Sequence, residues 1–263
     1  MRVALKVSML SFAVVLIAWA ISAPQHVSAQ GHATSNAPAS TVPFVGCKSD
    51  GQSGPVDAPR GKDQAVDISA KDAGLLAYYK ASEDGFGVLA PRGWYCFNTY
   101  GSNGATFYVS PNPIGVSELF ARNWKGIAGP SIQMSMMNGS TSGRFDVATV
   151  IARVFPAHMD FVESVISEGI EPAADFPRGP YPNDKLVYRS KEVVEFLTPA
   201  NTEGLGTQSR LLKNGDPING VAILFGEDSN LLQLSVRLPT DLRYLAPIII
   251  SQTEREVKEA NSK

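Results

Sequence analysis

The chain has 263 residues, with 23 basic and 25 acidic side chains. Setting aside Arg2 and Lys6 of the leader leaves 21 against 25, a weak acidic excess with no run of Lys or Arg. That balance argues against nucleic acid or an anionic lipid surface as a partner.

Arg2 and Lys6 precede an apolar run from Val7 to about Ile21, and Val27-Ser28-Ala29 stands before Gln30. A basic start, a short apolar stretch and small residues at −3 and −1 form the signal-peptide pattern. The run is about 15 residues, short of the roughly 20 that a spanning helix needs. Residues 1–29 therefore read as a cleaved signal peptide, with no membrane span after cleavage. Phe44-Val45-Gly46-Cys47 has some likeness to a bacterial lipidation box. Such a box directly follows the apolar region, whereas here Pro24 and Pro43 intervene. Residues 30–43, QGHATSNAPASTVP, hold too little apolar surface to offset their ordering entropy and read as a flexible linker. Residues 44–263 are long enough for one sizeable core, with no second linker to divide them, and read as a single domain.

Lys71–Ala81 has a helical apolar face in Leu75, Leu76 and Tyr79, with Ser69 as cap. Trp94–Tyr100 and Ala105–Val109, around Gly101-Ser102-Asn103-Gly104, predict a hairpin with aromatic residues on both faces, which favours a covered strand. Val116–Trp124 reads as a further helix and Ser131–Met137 as a strand. Arg144–Glu168 is the clearest helical segment, kinked or divided at Pro156 and ended by Gly169. Strands are expected at Lys185–Tyr188, Val193–Leu197, Val221–Phe225 and Leu231–Leu238. In the last, Leu232, Leu234, Val236 and Leu238 share one face and Gln233, Ser235 and Arg237 the other, a pattern of one buried and one solvated face. A terminal helix starts at Thr240, with Leu242, Leu245 and Ile249 inward and a kink or restart at Pro247. The class predicted is α+β: an antiparallel sheet packed by helices on one face.

Cys47 and Cys96 are the two cysteines, and in an oxidising compartment two cysteines pair. A structural disulfide is expected, worth about 3–4 kcal/mol through loop closure. No Cys-x-x-Cys supports a redox thiol, and two cysteines alone do not make a zinc site.

Beyond the leader only His32 and His158 remain, so a three-histidine zinc site is excluded by count. A Ser-His-Asp hydrolase would have to use His158, and no Gly-x-Ser-x-Gly elbow presents a nucleophile. Asp160, Glu163, Glu168 and Glu171 fit the solvent side of a helix, and no segment has the alternating oxygen ligands of a calcium loop. A carboxylate pair of the glycosidase kind meets only in space and leaves no local signature. The loop Pro199–Pro217 is the most suggestive stretch. Gly204, Gly206 and Thr207 followed by Arg210 offer backbone amides and a guanidinium to an anion. The plainer reading is a connecting loop whose glycines take positive φ.

The segments PRGWYCFNTYGSNG, VFPAHMDFVESV, VEFLTPANTEGLGTQSRL and INGVAILFGEDSNLLQLSVRLP resemble a group of secreted bacterial proteins with no assigned activity. The resemblance implies an envelope location and carries over no site residues. Taken together, the expectation is an exported, periplasmic or secreted, non-catalytic module without metal or cofactor that binds an envelope component or another protein. Two alternatives stand beside it: a cell-envelope hydrolase using His158 or a carboxylate pair, and a small-anion binder using the Gly204–Arg210 loop.

Overall fold

The structure, a computed structural model, describes residues 40–262. The expected signal peptide (1–29) and residues 30–39 of the expected linker lie outside the described residues. The linker does not run to residue 43, because the fold has already begun at Ser40. Strand β1 (Ser40–Val42) is followed by β2 (Phe44–Gly46), β3 (Lys48–Gly51) and β4 (Gln64–Val66). β1 pairs antiparallel with β4, and Val42 is completely buried.

Ser69 caps helix α1 (Ala70–Ala73) as expected, its hydroxyl accepting from the Asp72 amide at 3.1 Å. The helix then stops at Gly74, and the residues expected to continue it form strand β5 (Leu76–Lys80). Leu76, Ala77, Tyr78 and Tyr79 are all buried, so the run is covered on both faces. A short continuous apolar run of this kind does not separate strand from helix by period alone, and glycine ended the helix here. β5 sits between β2 and β6 (Val88–Pro91) in a three-stranded sheet.

The main sheet has eight strands in the order β10-β11-β12-β13-β9-β8-β7-β3. Its hairpin is β7 (Tyr95–Gly101) and β8 (Gly104–Ser110), turning where expected. Tyr95 is nonetheless 56% exposed, so the aromatic residues of β7 are not all core. The helix expected over 116–124 is one turn, α2 (Val116–Leu119), because Val116 and Phe120 have no apolar surface to pack on and stay exposed. β9 (Ser131–Met137) leads to α3 (Arg144–Val154) and α4 (Met159–Ser167), separated by a 3-10 turn at Pro156–His158; Gly169 ends the pair at φ 69°. β10 (Lys185–Tyr188), β11 (Val193–Thr198), β12 (Ile218–Phe225) and β13 (Asn230–Arg237) form a meander, and β13 closes against β9. Every pairing in this sheet is antiparallel except β3 with β7. A 3-10 segment at Thr240–Leu245 runs into α5 (Ala246–Asn261), with Pro247 in its first turn.

The α+β class and the antiparallel sheet with packed helices stand as read. The helices lie on two faces rather than one. Val221, Ile223, Leu232, Leu234 and Val236 pack with Ile249, Ile250 and Val257 of α5 and with the small sheet. Ala222, Leu224, Leu231, Val194 and Phe196 point the other way and pack with Val147, Val150, Ile151, Val162 and Val165 of α3 and α4.

Cys47 and Cys96 form the expected disulfide, with Cα atoms 5.5 Å apart. This leaves no thiol at Cys47 for lipidation. Among the described residues no helix is long and apolar enough to cross a membrane.

Candidate functional site

The alternation along β13 is as read, but its polar side is not solvated. Gln233 is 5% exposed, Ser235 1% and Arg237 0%. The register places Gln233 opposite Ser135, Ser235 opposite Gln133 and Arg237 opposite Ser131, so β13 and β9 join their polar residues into one strip. What covers the strip is the backbone of two long loops. The Arg237 guanidinium donates to the carbonyls of Gly129 (2.9 Å), Ile127 (2.6 Å) and Leu212. Burial pulls its pKa down, and the charge of Asp216 opposes that pull. Gln233 Nε2 donates to the Leu205 carbonyl at 3.1 Å. Gln133 Oε1 accepts from the Arg210 amide at 2.7 Å, and its Nε2 donates to Ser135 Oγ at 3.1 Å. Buried amides and a buried cation are tolerable because each finds a backbone partner.

The loops are also tied to each other, through a parallel bridge between Ile127 and Leu211. Ile127 N donates to Arg210 O at 2.7 Å, and Leu212 N to Ile127 O at 2.9 Å. Toward β7 and β8 this cover stops, and the strip opens into a cleft of about 400 Å³. Thr99, Thr106, Tyr108 and Ser135 supply hydroxyls to it, Asn103 and Gln208 amides, and Asp146, Phe120 and Arg210 its remaining distinctive groups. Thr99 pairs with Thr106 across the hairpin, and Thr106 Oγ1 lies 3.4 Å from Ser135 Oγ. Tyr108 is buried, and burial raises its pKa against the pull of Arg210 and of the Thr99 and Thr106 hydroxyls. Asp146, in the first turn of α3, keeps an exposed edge. Partial desolvation still raises its pKa, offset by a bond with Asn103 and by the charge of Arg210.

Arg210 itself is exposed, with its guanidinium 5.8 Å from the Trp124 ring. Among the described residues it makes no ion pair. The other residues of its loop are spent internally. Leu205 N donates to Asp184 Oδ2 at 2.7 Å, Gly206 N to Thr198 Oγ1 at 3.0 Å and Gly204 N to Thr207 Oγ1 at 3.0 Å. The carboxylate of Asp184 therefore stands where an anion on the Leu205 amide would sit, and side-chain hydroxyls take the amides of Gly204 and Gly206. Thr207 Oγ1 is further engaged by Glu203, which pairs with Lys213 at 2.7 Å. The glycines also owe nothing to positive φ, since Gly204 is extended at −174° and Gly206 is not left-handed. A Cβ at Gly204 would run into Asp184 and Thr198, and one at Gly206 would lie 2.7 Å from Ile218 Cγ2. Close approach selects glycine at both positions. Of the four loop residues only Arg210 reaches the cleft.

His158 lies elsewhere, half-buried at the start of α4, with its ring edge-on to Phe155 and its Nε2 3.8 Å from Glu192 Oε1. Ser190 Oγ is in reach of that same carboxylate, at 3.1 Å from Glu192 Oε2. The acid thus sits between histidine and serine, which is not the order a triad needs, where histidine takes the proton of the hydroxyl. Glu168 is bound by Arg144 at 2.6 Å and Glu163 pairs with Arg178, so two of the four carboxylates of this helical region serve surface ion pairs, while Asp160 is exposed. Among the described residues no group of three or more His, Cys, Asp and Glu is placed to hold a metal ion.

Two carboxyls do meet in space, Glu195 on β11 and Glu254 on α5. Burial, then the charge of Glu195, push Glu254 up to about 6, while Arg189 pulls the other way. Glu195 Oε1 accepts from Arg189 Nε at 2.7 Å, and neither carboxylate lines the cleft. No family model, curated protein or solved structure matches this chain.

Proposed function

We propose that this chain is an exported, non-catalytic binding protein of the bacterial envelope, periplasmic or released, that takes a small polar ligand carrying an anionic group. The observation that carries the reading is Arg210, an exposed guanidinium without an ion pair among the described residues, at a cleft whose other groups are mostly neutral hydroxyls and amides. Neutral donors and acceptors orient a ligand, and a planar guanidinium adds a bidentate hold on a carboxylate or phosphate. The loop carrying Arg210 is fixed by Gln133 beneath it and by the Ile127 bridge beside it, so the arrangement is preorganised. The reading for export rests on the leader sequence and on the disulfide, a bond that persists in oxidising compartments.

Calorimetric titration with citrate, L-glutamate and inorganic phosphate, on wild type and Arg210→Gln, tests the cleft. The expected result is saturable binding by at least one anion that weakens about tenfold or more in the variant, equivalent to about 1.4 kcal/mol. Equal affinity in both proteins would remove Arg210 from the site and this reading with it.

A further inference from the structure

Resting on that reading of the cleft, we infer that its ligand is an acidic sugar, a pyranose ring bearing a carboxylate. Three groups on the cleft wall match three parts of such a molecule. Arg210 matches the carboxylate. Thr99, Thr106, Ser135, Asn103 and Gln208 match ring hydroxyls, since hydroxyls and amides both donate and accept. Phe120 matches the apolar face of the ring, because its side chain lines the cleft while remaining 64% exposed.

Two alternative classes each leave one of these groups unused. A neutral sugar brings no charge to the guanidinium, which otherwise has only Asp146 as a charged neighbour among the cleft-lining residues. A flexible aliphatic carboxylate leaves the Phe120 ring bare. The segment holding Phe120 carries its own backbone hydrogen bonds. Between Pro111 and Gly126 its backbone bonds are internal, Leu119 to Gly115, Phe120 to Val116, Ala121 to Glu118 and Trp124 to Ala121. It is tied down at its far end by the bridge from Ile127 to Leu211, beside Arg210. Phe120 and the guanidinium therefore reach the cleft from two segments that meet at this bridge and where Arg210 approaches the Trp124 ring. A ligand spanning both groups would hold the two together.

The test is calorimetric titration of protein expressed with its own leader and purified after export, with D-glucuronate, D-galacturonate, D-glucose, L-glutamate and citrate as probes. The expected result is that a uronate binds at least about tenfold more tightly than glucose, L-glutamate and citrate. Phe120→Ala should then abolish the preference over L-glutamate, and Arg210→Gln the preference over glucose. Phe120 is exposed and touches no core residue cluster, so its variant keeps the fold, which circular dichroism verifies. If L-glutamate or citrate binds as tightly as the uronates and Phe120→Ala changes nothing, the sugar is wrong and the anion site survives. If no probe binds, or glucose equals the uronates, both the sugar assignment and the anion site fall. A trigalacturonate arm separates the sources: tighter binding than the monomer points to a polysaccharide end, equal binding to the free sugar acid.

Discussion

On β13, Leu232, Leu234 and Val236 face α5 and are completely buried among aliphatic side chains, while Gln233, Ser235 and Arg237 face the two long loops and are buried almost as deeply. The same strand thus supports a dry interface on one side and, through Gln233 and Arg237, a hydrogen-bonded one on the other, with the Ser235 hydroxyl buried between them without a partner among the described residues. The difference lies in the covering element. A helix has its backbone groups satisfied and offers only side chains, so it demands apolar partners. A loop offers carbonyls and amides that need partners, so it demands polar ones. Alternation along a strand consequently reports which chemistry covers each face, and does not by itself report which face meets water.

The largest effect is expected on the dry side. Leu234→Ala should cost about 3 kcal/mol in urea unfolding through lost transfer energy and a residual cavity. A loss below about 1 kcal/mol would show that α5 repacks and the two faces are less distinct than they look. Next comes Arg237→Leu, which keeps bulk but removes the donors for three loop carbonyls. We expect about 2 kcal/mol, together with faster amide exchange at Ile127 and Leu212 and little change in α5. Uniform loss of protection in both regions would mean that the loops and the core unfold as one unit.

The smallest effect sharpens the comparison from within the α5 side. The folded state holds a proton on Glu254 more tightly than the unfolded chain does, with a pKa of about 6 against an ordinary value of 4.5. The folded state binds more protons in this interval, so this group's contribution to stability falls as pH rises from the unfolded value through about 6. Glu254→Gln should therefore stabilise the protein by about 1 kcal/mol at pH 7.5 and leave it unchanged near pH 4. Thermal melts across that range would read it, and an equal gain at both ends would exclude the carboxyl as the cause.

Much of the fold was legible because its signals were local and redundant. The Gly-rich turn at 101–104, the division at Pro156 and the helix start at Pro247 all follow from residues with one dominant backbone preference, and the span of β9 from its weak alternation. The apolar spacing of Leu76–Lys80 satisfies a helix, and what makes it a strand is its pairing with β2 and β6, which leaves no mark in the segment itself. The cleft was less legible. Arg210 was singled out in the loop, but its setting depends on Gln133, 77 residues away, and on Ile127. Thr99, Thr106, Ser135, Asp146 and Phe120 carry no local signal of the cleft and meet there only through the fold. A signal did exist: Gln133, Ser135, Gln233 and Ser235 are amides and hydroxyls where a solvated face would more often carry Lys or Glu. Such a pattern on two strands indicates a polar face under cover.

The pairing of β3 with β7 has a consequence for how the protein behaves beside other copies of itself. A sheet this wide ends in open hydrogen-bonding groups, and such edges recruit further strands. On one side the last strand is β3, where the amide and carbonyl of Ser49 are engaged by Val56 at 3.0 and 2.8 Å, so the chain folds back over its own border. The Cys47–Cys96 bridge fastens that border to the strand behind it. On the other side β10 is only four residues long, opens with Lys185 and is followed by the Arg189–Glu195 ion pair. Each end of the sheet thus carries a stopper, one covalent and folded back, the other short and charged. Both stoppers protect the folded chain against joining its neighbours strand to strand.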